Sequence, residues 1–155
     1  MKPGQGLTEV TAAVLAGLHP VLEEYEPDLL LVHGDTTTTL SASLAAFYQQ
    51  IPVGHVEAGL RTGNIYSPWP EELNRKLTGS IAELHFAPTA QAALNLECEA
   101  VPSDQIVITG NTVIDALLEV VELLEADPDQ SAAYEKEFGI DPTKRIILVT
   151  GHRRG

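Results

Sequence analysis

Apolar positions recur along the chain with two alternating periods. Leu7, Val10, Val14, Leu18, Val21 and Leu22 repeat at the spacing of one helical face, so LTEVTAAVLAGLHPVLEEY (7–25) predicts a helix. Pro20 falls inside it and should kink or interrupt it, because proline removes a backbone donor and crowds the preceding turn. DLLLVHG (28–34) is a short unbroken apolar run, the pattern of a strand covered on both faces. A helix from Thr37 to Gln49 follows, then a strand over 53–57. EELNRKLTGSIA (71–82) predicts a helix, with Pro70 placed to start it. Two further strands, 83–88 and 105–110, flank the helix AQAALNLECEA (90–100), and TVIDALLEVVELLEA (112–126) is the most regular helix of all. ADPDQS (126–131) reads as a linker and RIILVTG (145–151) as a last strand.

Strand and helix alternating through short connections predict an α/β fold: a Rossmann-like, mainly parallel sheet with helices on both faces. Such sheets bind ligands beyond the carboxyl ends of their strands. HGD (33–35), HVEAG (55–59), HFAPT (85–89), ITGNT (108–112) and TGHRR (150–154) all fall there. That shared placement points to a site more firmly than any single motif.

Composition narrows the ligand. A formal net charge of −13, from 9 basic and 22 acidic residues, argues against nucleic acid and anionic membranes as partners. A few converging basic groups would still serve a phosphorylated ligand. The single cysteine, Cys98, cannot form an internal disulfide, and no apolar run approaches ~18 residues, so no membrane span is expected. A cytoplasmic setting is the simplest expectation.

Each chemical motif has an ordinary alternative. Asp35 follows a strand in HGDTTTT (33–39) and could cap the next helix, unless the threonines do so and leave it facing the crevice. Glu57 stands at a strand end, where burial costs free energy unless something pairs it, and Arg61 is the obvious structural partner. Glu71 and Glu72 suit a helix start, and Glu71–Arg75 and Glu72–Lys76 have the spacing of surface ion pairs. GHRR (151–154) brings an imidazole and two guanidinium groups to a strand end, which suits a phosphate. A different chemistry is also open: His33, Asp35, His55 and Glu57 at neighbouring strand ends could hold a divalent metal, as in a hydrolase.

The long stretch HGDTTTTLSASLAAFYQQIPVGHVEAGLRTGNIYSPWPEELNRKLTGSIAELHFAPT, with ITGNTVIDAL and ILVTGHRR after it, closely resembles the non-hydrolysing UDP-N-acetylglucosamine 2-epimerases. The resemblance implies a two-domain fold of the glycosyltransferase-B type with the active site between the domains. It also implies the interconversion of UDP-N-acetylglucosamine and UDP-N-acetylmannosamine for polysaccharide synthesis. No metal or redox cofactor is implied, and the complete protein would be a homodimer. UDP would leave the sugar as the C2 proton is removed, giving a 2-acetamidoglucal, and both would return with the proton on the other face. Asp35, Glu57 and Glu71 match the acid–base set, and His152 matches the histidine at the departing diphosphate. Arg75, Arg153 and Arg154 are assigned to substrate binding. Gln5, in PGQG, matches a loop that in some relatives contacts a second, activating UDP-N-acetylglucosamine.

Members of that family begin with a strand ending in a Gly-Thr-Arg-Pro-Glu motif and continue past GHRR through a second domain. On that comparison, residues 1–126 are expected to be part of the N-terminal domain. Residues 127–144 are expected to be a linker region, and residues 145–155 the first strand of the C-terminal domain. A truncated or split, non-catalytic piece is the expectation for the 155 residues by themselves, with no measurable epimerisation and a tendency to self-associate.

Overall fold

Four short strands, β1 (Leu30–His33), β2 (Val53–Val56), β3 (Leu84–Ala87) and β4 (Ile106–Ile108), form one sheet in the order β1-β2-β3-β4, every pair parallel. The computed structural model describes residues 4–141 and 143–150. Helices α1 (Leu7–Tyr25), α2 (Thr37–Tyr48), α3 (Glu71–Ile81) and α4 (Ala90–Cys98) accompany the strands. They form one compact unit, Met1–Gly110; a second, Asn111–Gly155, holds α5 (Thr112–Ala126) and α6 (Pro128–Phe138). The parallel α/β sheet is the one the alternation predicts.

Register decides which side chains share a face. Val32 pairs with His55, His55 with His85 and His85 with Ile106, so these four line one face. On it Val32 and Val53 pack with Leu22, Ala45 and Ala46, while Ala87 packs with Ala58, Ala92, Ala93 and Leu96. Right-handed crossovers that advance in one direction across a sheet fall on the same side, which is why α2 and α4 both lie here. The opposite face carries Leu31, Gly54, Phe86 and Val107. There Leu31 is 58% and Val107 45% exposed, so within the described chain β1 is not covered on both faces as its apolar run suggested.

Helix ends follow local chemistry. Thr36 caps α2, its hydroxyl accepting the Thr39 N–H at 3.2 Å, and Thr89 caps α4 by accepting the Ala92 N–H at 3.1 Å. Pro70 is the cap residue of α3, as expected. Pro20 interrupts nothing: α1 is assigned as one helix through it, anchored by Leu22 in the core.

Two segments of the later residues differ from their expected local structure. Part of the supposed linker is α6, begun by Asp127, whose carboxylate accepts the Gln130 N–H, with Pro128 at the first turn and Gly139 closing it in a left-handed conformation. Residues 145–150 form no strand. A strand is made by pairing, these residues have no partner strand among the described residues, and Ile147, Leu148 and Val149 are 86, 84 and 85% exposed. Gly151 lies outside the described residues.

The turn after β2 sits against α4 with no room for a side chain. Gly59 has φ +84°, and a Cβ there would penetrate the Ala92 carbonyl oxygen and approach Leu96 Cδ1 to 3.0 Å. Gly59→Ala should therefore destabilise the fold by at least ~2 kcal/mol, combining left-handed strain with a backbone clash. A urea midpoint within error of the parent would contradict this packing.

Candidate active site

Beyond the carboxyl ends of β1 and β2 the chain assembles a cluster of acids around one guanidinium. Thr36, not Asp35, caps α2, and Thr39 Oγ1 donates to the His33 carbonyl at 2.7 Å. The threonines thus serve the backbone and release Asp35. Its carboxylate accepts from Arg75 Nη2 at 2.6 Å and from Arg75 Nε at 3.1 Å, while Asn74 Nδ2 donates to the Asp35 carbonyl at 2.8 Å. Arg75 Nη1 donates to Glu72 Oε2 at 3.1 Å. Glu72 is fully buried, and its Oε1 accepts the N–H groups of Thr62 and Gly63 at 3.0 and 3.1 Å. Burial opposes ionisation of Glu72, but those two N–H groups and the guanidinium outweigh it, holding its carboxyl below the usual range.

Glu57 follows the last residue of β2. The sheet ladder continues on both sides of it, Gly34 N–H donating to the Val56 carbonyl and Ala58 N–H to the Phe86 carbonyl, each at 3.0 Å. Between those fixed points Glu57 takes φ +67°, a left-handed conformation that costs a non-glycine residue about 1–2 kcal/mol. Strain of this kind collects at functional sites. The Glu57 carboxylate lies 3.6 Å from His33 Nε2. Arg61 does not pair with it, as the ordinary alternative required. Arg61 instead donates to Glu99 from Nη2 at 2.7 Å and Nε at 2.9 Å, and this holds the Glu99 carboxyl below its usual range.

Of the residues expected at a site, the structure brings Asp35 and Arg75 into direct contact, puts Glu57 at the neighbouring strand end and starts α3 with Glu71. Lys76 turns to Glu99 at 3.6 Å rather than to Glu72. Gln5 stands just ahead of α1, before the cap residue Gly6. His152, Arg153 and Arg154 lie outside the described residues. Sequence reasoning passed over Glu72 and Asn74. Both are buried; Asn74 shares a face of α3 with the buried Thr78 at i, i+4, whereas Glu72, two residues before Asn74, does not, so no single polar stripe marked the pair.

The four-ligand metal arrangement is not formed. β1 and β2 are neighbours, but His33 pairs in register with Val56, and His55 with Val32, so the two imidazoles point to opposite faces. His55 is buried and its Nε2–H donates to the Gly34 carbonyl at 2.8 Å. Among the described residues no group of three or more His, Cys, Asp or Glu side chains is placed to hold a metal. No helix among them is long and apolar enough to cross a membrane.

Comparison with known proteins gives a consistent set of relatives. A family described as UDP-N-acetylglucosamine 2-epimerase matches residues 1–155. The UDP-N-acetylglucosamine 2-epimerase of Yersinia pestis is 62% identical over 155 residues, which are 99% of this chain and 41% of that protein. The crystal structure of UDP-GlcNAc 2-epimerase from Neisseria meningitidis bound to UDP-GlcNAc superposes with a TM-score of 0.91 at 53% identity, over 99% of this chain and 42% of that one. The Methanocaldococcus jannaschii UDP-GlcNAc 2-epimerase in complex with UDP-GlcNAc and UDP gives a TM-score of 0.78 at 37% identity, over 86% and 36%. The chain therefore spans about two fifths of the length of these relatives.

The paired histidines on the buried face set a pH dependence. Desolvation lowers the His55 pKa from 6.5 to about 4, opposed by its bond to Gly34 and assisted by the charges of His85, Arg61 and His33. Burial also lowers that of His85, against the Ala82 backbone and with the Arg61 charge. The unfolded chain binds protons that the folded one refuses, so stability is full above pH 6.5 and falls as pH drops below it, by ~3 kcal/mol for His55 alone once pH reaches 4. Between pH 6.5 and 5, above the carboxylate range, the urea midpoint should fall, and His55→Gln should fall less steeply. Equal slopes would contradict the assignment.

Proposed function

Since the chain belongs to the UDP-N-acetylglucosamine 2-epimerase family, we propose that the full-length enzyme carrying these residues interconverts UDP-N-acetylglucosamine and UDP-N-acetylmannosamine without net hydrolysis. The observation that supports it most directly is the set of carboxylates, Asp35, Glu57 and Glu71, at the carboxyl ends of β1 and β2 and the start of α3. The reaction inverts C2, which carries an unactivated C–H bond. In the proposed elimination the C1–O bond breaks with its electron pair leaving on UDP. The C2 proton passes to a carboxylate, and the C–H electrons form the C1–C2 double bond. Positive charge builds at C1 as UDP departs, and nearby ionised acids stabilise it. Re-addition reverses each transfer, except that the proton arrives at C2 from the other face.

Two faces require two acid–base groups, and a cluster drawn from different strand ends can supply them where a single residue cannot. Arg75 contributes by fixing Asp35 through two nitrogens of one planar group. We assign His152, Arg153 and Arg154 to the diphosphate and Gln5 to a second, activating nucleotide-sugar. In the two-domain arrangement that goes with this reading, residues 1–126 belong to the first domain and 145–155 open the second, joined through 127–144. A cytoplasmic homodimer binding UDP-N-acetylglucosamine completes the proposal.

In the full-length enzyme, Asp35→Asn, Glu57→Gln and Glu71→Gln should each lower turnover by at least ~10²-fold, the scale for losing a positioned acid or base, with circular dichroism unchanged. Product analysis should find UDP-N-acetylmannosamine. Free N-acetylmannosamine with UDP as the main products would overturn the non-hydrolysing assignment, and near-normal turnover in any one variant would return that residue to a structural role.

A further inference from the structure

Glu72 is not one of the three acids proposed to act on the sugar, yet it is the most deeply buried carboxylate described, with no exposed surface. A helix start that needed only negative charge already has Glu71. A staple for the loop before α3 would need only the bonds that Glu72 accepts from Thr62 and Gly63. Neither explains the remaining oxygen, which is committed to Arg75 at 3.1 Å.

The guanidinium is planar, so its nitrogens cannot be aimed independently. With Nη1 held by Glu72, Nε and Nη2 are directed at Asp35 Oδ2, at 3.1 and 2.6 Å. Glu72 is itself fixed by two backbone N–H groups and excluded from water, so the chain runs from rigid backbone through Glu72 and Arg75 to Asp35. We propose that Glu72 is a positioning residue for the epimerisation, holding the Asp35 carboxylate at the reacting sugar through Arg75 and sharing that guanidinium's charge between two acids. This rests on the epimerase reading above. Nothing in it requires Glu72 to touch the substrate.

The test uses the full-length enzyme with UDP-N-acetylglucosamine. Glu72→Gln keeps the side-chain volume and an oxygen for Thr62 and Gly63, but turns an amide toward Arg75 or loses its charge there. It should lower kcat by about 10-fold or more with KM within about 3-fold, as expected when a reacting group is misaimed rather than unbound. Added to Asp35→Asn it should cause no further loss, because it acts through Asp35. Should Glu72→Gln fail to fold, Arg75→Lys decides: it keeps the charge but not the fork, and should show the same kcat loss and the same non-additivity. Parent-like kcat, or losses that multiply on the Asp35→Asn background, would overturn the positioning role. A parent enzyme with no epimerase activity would instead overturn the reading beneath it.

Discussion

One guanidinium ties three separate pieces of chain together. Arg75 stands on α3, Asp35 on the turn between β1 and α2, and Glu72 clamps the loop that leads from β2 into α3. Two negative charges against one positive, partly out of water, form an arrangement that favourable geometry must hold together. Here the geometry is supplied by backbone N–H groups at Thr62 and Gly63 and by the Asn74 amide on the Asp35 carbonyl. The Asp35 carboxylate is thereby set by the fold and not by a solvent-exposed rotamer, as a positioned acid or base requires.

Small residues set the neighbouring turn after β2. Ala58, Ala87 and Ala92 have no exposed surface or nearly none, and with Gly59 they let α4 approach the turn after β2 closely enough for Asn95 Nδ2 to donate to the Gly59 carbonyl at 2.9 Å. Arg61, two residues on, reaches Glu99 just past α4, and this closes the loop's other side. Glu57 stays in its left-handed conformation because Val56 and Ala58 on either side are bound into the ladder. The same turn therefore carries packing, ion pairing and a candidate catalytic acid.

The sheet and its helices were legible because their signals are local: unbroken apolar runs, helical periodicity, and a threonine ahead of α2. The placement of acids at strand ends was legible for the same reason. Partner choice was not. Arg75 does meet Glu72 at i, i+3, but it also reaches Asp35, and Lys76 reaches Glu99 and not Glu72, contacts that exist only once the chain has folded. The offset between β1 and β2 is likewise invisible in sequence, and it alone puts His33 and His55 on opposite faces. The α6 helix did announce itself, with Asp127 and Pro128 at its start and Gly139 at its end, but its polar composition read as a connection. Residues 145–150 show the converse: high strand propensity with no partner strand among the described residues gives no strand there.

The proposal that the full-length enzyme removes and returns the C2 proton rests on membership of the epimerase family and on the carboxylates at the strand ends. The most direct measurement runs the full-length enzyme with UDP-N-acetylglucosamine in heavy water and follows C2 of the products by NMR. If the carboxylates at these strand ends carry the proton off and bring it back from exchangeable positions, deuterium enters at C2 of UDP-N-acetylmannosamine. Product that retains its original hydrogen at C2 would contradict elimination and re-addition.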